Sequence, residues 1–350
     1  MIPYIEIIDK YSLKKISLVE PQECWFELSY YDVGEFEIYC RASQANLNIL
    51  QKGRYVKIPN KRFVWVITSI KKTYTAGGVR MILAKGKEAK WLLKKRILRN
   101  PVELQGTITN AIYNLVNNNL GTGAIPRRQI SGFSVSNSEL LIDITDTQAP
   151  RGNLLEIVNK LLKSYNCGSQ VIYDNGGLKY EIINGSVKTN SIKFSQSLDN
   201  LLSSEYESDD EEVATSALVV STVDEADYLQ EYDEGKTGVD LCEILVNSNL
   251  STKYEDASGV EHETTPTSDL YKGWQIEEGK NEITNHKTIE KATGEIDLFN
   301  SNYKFDTDFY LGDLVKIQDE YFNFSINSRI LKYTIKQDAS GYGEEAEYGG

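Results

Sequence analysis

The sequence predicts a mainly β protein, α+β overall, in which two related β modules lie on either side of unlike sequence. Tyrosine is abundant, at 22 residues, against 2 methionines and 2 histidines, and short segments that alternate apolar and polar residues recur at both ends of the chain. Residues 53–75 and 312–334 align without a gap, and 9 of the 23 positions are identical, beginning with Gly53 and Gly312. Two related strand-rich segments indicate a duplicated domain. Such duplication is typical of assemblies whose rotational symmetry is of higher order than their number of chains.

The first 98 residues predict a run of short strands, which is typical of a small barrel or sandwich. Turn residues such as Asp32, Gly34 and Gly53 separate the β-rich segments. The predicted strands cover residues 5–8, 17–19, 24–29, 35–40, 55–58, 63–70 and 79–85. A short basic helix over about 88–98 is expected to close this module.

Residues 99–190 predict a small α+β domain. Helical spacing over 109–118 places Ile108, Ile112 and Leu115 on one face, with Thr107 or Thr109 as the cap. A second amphipathic helix is predicted over 153–165. It is followed by a hairpin, 170–173 and 178–183, that turns at the sequence Asp-Asn-Gly-Gly.

The remaining residues predict strands interrupted by a polar region. Strand patterns return at 192–194 and 217–221, and the second copy of the repeat lies within 303–337. Between them, residues 224–300 are polar and predict loops with two helices, near 241–248 and 283–292. A last strand is predicted around 344–348. At 350 residues the chain is too long for one compact core, so two to four domains are expected.

The N-terminus and the cysteines indicate the compartment. Residues 1–15 carry charges within their apolar stretch, so no signal peptide is predicted, and no window approaches the roughly 20 apolar residues of a membrane span. We therefore expect a protein made and kept soluble in a cytoplasm, with no membrane anchor. The four cysteines are expected to be buried or half-buried free thiols, because a zinc site needs clustered ligands. They are Cys24, Cys40, Cys167 and Cys242.

The net charge of −13 is unevenly distributed. Residues 1–175 hold 24 Lys and Arg against 15 Asp and Glu, whereas residues 176–350 hold 14 against 36. Residues 51–100 contain 15 basic residues and one acidic residue, Glu88. A basic end and an acidic end favour head-to-tail docking between charged rings. The attraction raises the rate of encounter more than it raises the affinity.

Two acidic segments, 205–212 and 224–234, each hold six carboxylates. A calcium site is one interpretation, but the pattern D-x-[DN]-x-[DN]-G is absent and no glycine occupies the sharp-turn position. A solvated acidic loop is the simpler interpretation. The sequence therefore predicts neither a metal nor a cofactor.

The basic segment 51–100 raises the question of nucleic-acid binding, because Lys and Arg neutralise phosphate and aromatic residues lie among them. These aromatics are Tyr55, Phe63, Trp65 and Trp91. They fall at alternating strand positions that are typical of a core, and the chain as a whole is acidic. A docking surface or a solvated face is favoured over a nucleic-acid site.

The sequence contains no catalytic constellation. H-E-x-x-H and G-x-S-x-G are absent, and Gly121-Thr122-Gly123 lacks the third glycine and the preceding strand of a phosphate loop. Cys167 with His262 or His286 would be a nucleophile only by default, because nothing in the sequence places them together. The prediction is a protein that is not an enzyme and has no catalytic residues.

Several segments together resemble the tail-tip hub proteins of long-tailed phages. The segments are 34–39, 96–98 leading into Gly106-Thr107 and the helix at 109–118, the Arg127-Arg128 pair, 152–155 and 308–315. Residues 298–313 with Ser328-Arg329-Ile330 carry the strongest resemblance, which covers nearly the whole chain. The group is similar to the central baseplate hub of contractile-tailed phages and to the N-terminal part of tail-associated lysins.

The resemblance implies two β-barrel tube domains that alternate around a three-fold ring, so that three chains present six similar barrels to a six-fold tail tube. It implies four domains per chain. The division of the chain by its residue patterns agrees, with a first tube domain at 1–98, an α+β domain at 99–190, a second tube domain at 191–222 and 300–350, and a small inserted domain at 223–299. The implied partners in the virion tail are the distal tail ring, the tail tube, the tape measure and a receptor-binding module, with DNA passing without specific binding.

The leading interpretation is a structural homotrimer that forms the tail-tip or baseplate hub ring, closes or extends the tail tube, and conducts DNA during infection. Family members often carry a C-terminal peptidase or receptor-binding module, whereas this sequence ends just after its second module, which favours a role without enzymatic activity. Two alternatives stay open. One is the scaffold of a tail-associated lysin, a peptidoglycan hydrolase or endopeptidase, without its catalytic module; the other is a carbohydrate-binding tail adaptor, suggested by the tyrosines.

Overall fold

One long sheet carries both copies of the repeat, and the helices and smaller sheets pack against it. The computed structural model describes residues 2–74, 77–136, 140, 142–201, 203–256, 260–287, 289–298 and 301–349. Most of the described elements are strands. The predicted fold class, mainly β and α+β overall, is confirmed.

The first module contains seven strands and one short helix. They are β1 (Ile5–Ile8), β2 (Lys15–Val19), β3 (Glu23–Ser29), β4 (Glu35–Arg41), α1 (Gln44–Ile49), β5 (Tyr55–Lys57), β6 (Trp65–Tyr74) and β7 (Arg80–Glu88). All seven predicted strands are confirmed. The predicted basic helix is a shorter 3-10 helix, Ala89–Lys95, because Arg96 returns to an extended conformation.

The α+β unit follows. Its elements are β8 (Ile97–Leu98), β9 (Val102–Thr107), α2 (Ile108–Leu120), β10 (Phe133–Val135), β11 (Asp143–Ala149), β12 (Gly152–Asn153), α3 (Leu154–Ser164), β13 (Gly168–Asp174) and β14 (Gly177–Ile183). The Thr107 hydroxyl accepts from the Asn110 amide and the Asn153 side chain accepts from the Leu155 amide, so each predicted helix begins where its cap satisfies a free N–H.

The rest of the chain forms eleven strands, one α-helix and two short 3-10 helices among the described residues. The strands and the α-helix are β15 (Lys193–Ser195), β16 (Ser203–Asp209), β17 (Ser216–Val223), β18 (Ala226–Asp233), β19 (Glu243–Ser248), β20 (Lys253–Glu255), β21 (Glu261–Glu263), α4 (Asp269–Asn285), β22 (Ile289–Glu295), β23 (Leu314–Asp319), β24 (Phe324–Asp338) and β25 (Gly341–Gly349). The predicted strands at 192–194, 217–221 and 344–348 are confirmed.

Both helices predicted in the polar region are wrong. Residues 243–248 form β19, which pairs in parallel with β17 and places the buried Val246 beside Val219. The helix of this region is α4, which starts earlier because the Ser268 hydroxyl accepts from the Tyr271 amide at 3.1 Å. The helix α4 ends at Asn285. Most of the residues predicted as the second helix lie in β22, and residue 288 lies outside the described part of the chain.

The two expected barrels do not close within the described residues. The strand order of the large sheet is β15-β23-β24-β3-β4-β7-β6-β5-β1-β2, and β25 pairs with β24. The reason is the length of β24, 15 residues, which lets its second half pair with β3 of the first module. A single sheet therefore passes from one module to the other, and one large apolar core lies under both.

The smaller sheets bear on the domain ranges, which stay a prediction. β17 pairs with β18 and β19 in a separate three-stranded sheet, and β20 joins β9 and β11 of the α+β unit. The predicted boundary at 222/223 lies within β17, and residues 299 and 300 lie outside the described part of the chain. The pairing supports an insertion that begins before Ser216.

Candidate assembly interface

The sequence repeat is also a repeat of strand pairing. β5, β6 and β7 are neighbours in the sheet, and β23, β24 and β25 are neighbours in the same order. Each module begins at a glycine in the left-handed region, with φ of +85° at Gly53 and +87° at Gly312. The amide of each glycine donates at 2.8 Å to a carbonyl on the second strand of its module, Ile67 on β6 and Ile330 on β24. The two modules therefore share their backbone geometry.

The pairing corrects the alignment beyond the first strand of each copy. In the ungapped alignment the equivalent of Ile67 is Ile326, whereas the strand pairing makes Ile330 its equivalent. The connection between the strands is therefore four residues longer in the second module. Because four is even, the same alternation of faces is kept. The last aligned residue of the first copy, Thr75, lies outside the described residues.

A β-bulge confirms this corrected equivalence. The bulge lies between Ile67 and Ser69 where β6 pairs with β7, and between Ile330 and Lys332 where β24 pairs with β25. A bulge adds one residue to one strand and bends it. The two modules therefore bend at the same point.

An outer pair of antiparallel strands completes each module. β4 pairs with β7 and carries β3 on its other side, and β22 contacts β25 and pairs with β16. Phe36 on β4 covers Gly86 on β7, where an added Cβ would lie 2.4 Å from the ring. In the second module the large residue is on the inner strand and the glycine is on the outer one. A Cβ on Gly294 of β22 would lie 3.0 Å from the hydroxyl of Tyr348 on β25. β16 thus takes the position of β3.

β24 joins the two modules within one chain. Its first half pairs with β23, and residues 332–337 pair antiparallel with β3. Tyr333 lies opposite Leu28 and Ile335 lies opposite Phe26, and all four side chains are buried. The connection between the modules is therefore both a hydrogen-bonded ladder and a packed core.

Tyr30 lies where the two modules and the α+β unit meet. Its hydroxyl donates to the carbonyls of Asn166 at 2.9 Å and Ile183 at 3.0 Å, and its amide donates to the Leu331 carbonyl at 2.7 Å. Burial raises the pKa of Tyr30, so it stays a neutral donor. These bonds hold the two modules at one relative position.

A buried ion pair reinforces this junction. The Lys90 ammonium donates to the carbonyls of Ser169 at 2.9 Å and Tyr30 at 3.3 Å, and also to that of Ser29. It lies 3.7 Å from the Glu88 carboxylate, and the two side chains are 0% and 1% exposed. Burial lowers the pKa of Lys90 and raises that of Glu88. The pair is not among the residues predicted from the sequence, although Glu88 is the single acidic residue among the 15 basic residues of 51–100 and is a sign of it.

Two of the unpaired strand edges in the described part of the chain belong to the repeated modules. Residues 69–74 of β6 pair with β7 alone, although the equivalent half of β24 has β3 on its other side. β16 pairs with β22 alone. An unpaired edge presents free N–H and C=O groups and is a template for pairing with another chain.

The two edges have opposite charges. Lys71 and Lys72 on β6 are exposed, as are Glu205 and Glu207 on β16. Within the residues that the structure describes, none of these four side chains forms an ion pair. By contrast, Lys85 and Lys87 on β7 pair with carboxylates of β4. The charge division predicted from the sequence therefore includes two uncompensated strand edges.

Three of the four aromatic residues considered in the basic segment lie in the core, as predicted. Tyr55, Phe63 and Trp65 are buried, and the Trp65 indole donates to the Glu27 carbonyl at 2.8 Å. Trp91 is half-buried, with the Lys95 ammonium 4.8 Å from its ring centroid. Three of the four rings are therefore inaccessible for stacking on bases.

The thiols and histidines lie apart from one another. All four cysteines are free; Cys24, Cys40 and Cys167 are buried and Cys242 is half-buried, as predicted. Burial raises the pKa of Cys167 to about 11, which disfavours the thiolate. His262 contacts Asp256 at 2.9 Å, and His286 contacts the Glu212 carbonyl. No pairing of Cys167 with either ring is seen among the described residues.

The acidic segments are spread over separate strands and turns. Residues 205–209 lie on β16, and 226–233 form β18 in a different sheet. In the described ranges, no group of three or more His, Cys, Asp or Glu side chains is arranged to hold a metal ion. Gly121 ends α2, where its amide donates to the Asn117 carbonyl, so the Gly121-Thr122-Gly123 segment follows a helix rather than a strand.

A cavity of about 880 Å³ lies between α3, α4, β11 and β19. Its apolar lining includes Ile157, Leu245 and Trp274. Glu278 also lines it, accepts from the Ser248 hydroxyl at 2.6 Å, and has its pKa raised by burial. No sequence pattern indicates this cavity, because its walls come from two units that are distant in the chain.

The fold is similar to that of several phage and prophage tail proteins. A tail protein from Neisseria meningitidis MC58 superposes with a TM-score of 0.59 at 12% identity, over 99% of this chain and 96% of that one. The 43 kDa tail protein of prophage MuSo2 from Shewanella oneidensis gives 0.56 at 13% identity, over 99% and 98%. Prophage tail protein gp18 from Listeria monocytogenes EGD-e gives 0.51 at 14% identity, over 99% and 94%.

The chain belongs to the family of Siphovirus ReqiPepy6 Gp37-like proteins, whose model matches residues 5–349. No curated protein matches the sequence. No helix in the described part of the chain is long and apolar enough to cross a membrane. The family is therefore one of siphovirus proteins, and the fold is the one seen in phage and prophage tail proteins.

Proposed function

We propose that three copies of this chain form the tail-tip or baseplate hub ring, which closes or extends the tail tube and conducts DNA during infection. The observation that carries the proposal is the structural repeat. β5-β6-β7 and β23-β24-β25 have the same order, the same bulge and the same glycine geometry, and they lie in one continuous sheet. Three chains with two equivalent modules each supply six similar faces to a six-fold tube.

A hub works by holding its modules at fixed positions rather than by chemistry. The Tyr30 and Lys90 contacts join both modules and the α+β unit without any exposed or activated group. The buried thiol of Cys167 and the separated histidines fit a role without catalysis. We therefore propose that the chain is not an enzyme, and that purified protein will not cleave peptidoglycan.

The neighbouring tail proteins are the proposed partners. The fold also matches a chain of the Francisella PdpA-VgrG complex, half-lidded, with a TM-score of 0.52 at 14% identity, over 99% of this chain and 57% of that chain. That likeness supports a fold that associates with other tail or spike components. The partners proposed here are the distal tail ring, the tail tube, the tape measure and a receptor-binding module.

The first test is the absolute mass in solution, by light scattering and native mass spectrometry. One chain has a mass of 39.6 kDa, and the expected species contains three chains, alone or after mixing with the adjoining tail proteins. A chain that stays monomeric in that mixture refutes the ring.

The acidic excess suggests how DNA passes. Carboxylates that face the lumen would repel the phosphate backbone and let the genome slide. The exposed carboxylates of the β17–β18 turn and β18, residues 224–234, are the proposed lining. Replacing them with Asn and Gln is expected to slow DNA delivery without reducing particle yield, whereas Glu261→Gln, on the exposed β21, is the matched control. Delivery at the normal rate in both variants contradicts this lining.

A further inference from the structure

We propose that the free half of β6 in one copy of the chain pairs antiparallel with β16 of a second copy. The structure already contains this joint once, between residues 332–337 of β24 and β3. Residues 69–74 of β6 are the repeat equivalent of that half of β24, and β16 is the equivalent of β3. The free half of β6 and the strand β16 each pair on one side only among the described residues. Each copy therefore carries one strand of the joint on β6 and the complementary strand on β16.

The repeat also specifies the register. Phe26 lies opposite Phe36 in the first module, and Ser204 lies opposite Gly294 in the second. Gly86 and Tyr348 are equivalent when counted from the common bulge, and the Tyr348 side chain reaches Gly294 through its hydroxyl as the Phe36 ring reaches Gly86. We therefore assign Ser204 the position of Phe26.

Ile335 of β24 lies opposite Phe26 at the joint within the chain. Its equivalent in β6, counted from the common bulge, is Lys72. Lys72 is therefore placed opposite Ser204 of the second copy, and the antiparallel direction then places Lys71 opposite Glu205 and Ile70 opposite Tyr206.

This register brings compatible side chains together on both faces of the sheet. Ile70 is half-buried and packs against the main core, and the Tyr206 ring stacks on Phe324 at 5.3 Å, so their contact extends that core. On the other face Lys71 meets Glu205, with Glu207 on the diagonal. Opposite charges directly across an antiparallel pair attract, and like charges repel.

The joint within the chain uses similar chemistry. Glu27 on β3 holds the position of Glu205 on β16. Burial raises the pKa of Glu27, and the ammonium of Lys332 on β24 opposes that shift. A lysine near this glutamate is therefore a feature of the existing joint, and Lys71 would supply it between copies.

The charges also select the partner edge. Two β6 edges would place Lys71 and Lys72 against the same lysines, and two β16 edges would place carboxylates together, so self-pairing of either edge is disfavoured. A β6 edge against a β16 edge is a head-to-tail contact, which closes into a ring when the rotation allows it. The number of copies in that ring rests on the proposed function, whereas the strand pairing rests on the repeat alone.

Disulfide trapping tests the register directly. In a Cys242→Ser background, Lys71→Cys with Glu205→Cys is expected to form a cross-link between chains under mild oxidation, because directly opposite Cβ atoms lie near disulfide distance. Lys71→Cys with Asp209→Cys is the matched control. Asp209 lies on the same face of β16 but about 13 Å farther along the strand, so this pair is expected to stay reduced.

Charge exchange tests the electrostatics without new thiols. Lys71→Glu is expected to weaken self-association about tenfold, and Glu205→Lys to do the same. A chain that carries both changes is expected to recover most of the loss, and this recovery also shows that the single variants fold. Lys94→Glu, an exposed change elsewhere in the basic segment, is the control.

The outcomes separate the two proposals. A three-chain species without the Lys71–Glu205 cross-link keeps the ring and overturns the strand pairing. The cross-link in a species of another size keeps the pairing and overturns the ring of three. Absence of the cross-link at the highest soluble concentration, or single reversals that weaken only the binding of another tail protein, overturns the pairing whatever the mass.

Discussion

Replacing Lys90 with methionine should destabilise the whole chain, because this side chain joins two units from a fully buried position. Methionine keeps most of the stem volume but removes the donor for the carbonyls of Ser29, Tyr30 and Ser169. It also leaves the Glu88 carboxylate buried without its cation. Removing one partner of a buried ion pair costs about 3–5 kcal/mol. The expected loss in the free energy of unfolding lies in that range.

The size of the loss should depend on pH. In the Lys90→Met variant, burial keeps the pKa of folded Glu88 above its unfolded value, with no cation to oppose it. A raised carboxyl pKa contributes stability that is fully present below the unfolded pKa and is lost as pH rises through the folded pKa. The deficit relative to wild type should therefore be larger at pH 8 than at pH 5.

Urea denaturation followed by tryptophan fluorescence measures both effects, since the chain has four tryptophans. Lys94→Met is the matched control, because Lys94 is exposed in the same 3-10 helix and should change stability by less than about 0.5 kcal/mol. Glu88→Gln added to Lys90→Met should recover part of the loss by removing the unpaired charge. A Lys90→Met loss no larger than that of Lys94→Met, or one independent of pH, would refute the reasoning.

Two further predictions concern the first glycine of each module and the four thiols. Gly53 and Gly312 have nearly equal positive φ, but an added Cβ would lie 3.3 Å from a flexible lysine stem at Gly53 and 2.3 Å from the clamped Tyr30 ring at Gly312. Gly53→Ala should therefore cost about 1 kcal/mol and Gly312→Ala about 2–4 kcal/mol in thermal or urea unfolding; equal losses would contradict the clamped ring. In the native state a thiol reagent should modify Cys242 first, and all four cysteines should react only in denaturant. Burial raises the pKa of the other three, to about 12, 11 and 11 for Cys24, Cys40 and Cys167, so rapid native reaction of three or more thiols would contradict their burial.

Local structure was largely predictable from the sequence. The seven strands of the first module, the hairpin β13–β14 and the two helices α2 and α3 follow from apolar spacing, turn residues and caps that act within a few residues. The burial of most thiols also followed from their isolation in the sequence. The family resemblance and the repeat were present in the order of short motifs.

Elements with weak local preferences were not predictable. Residues 243–248 are a strand because β17 offers a parallel edge, and the pattern alone does not distinguish a short apolar strand from a helix. The helix α4 was missed because its sequence is polar overall, and its buried residues, such as Tyr271 and Trp274, are recognised only by what packs on them.

The sequence by itself determined that two modules are related, and the tertiary structure decided how they are related. The four-residue shift after the first strand is invisible to an ungapped alignment, since an even shift keeps the same residues on the same face. The joint of β24 with β3, the Tyr30 contacts and the Lys90–Glu88 pair connect residues far apart in the chain. Local sequence carries little information about such contacts, because their energy depends on burial and partners that exist only after the chain has folded.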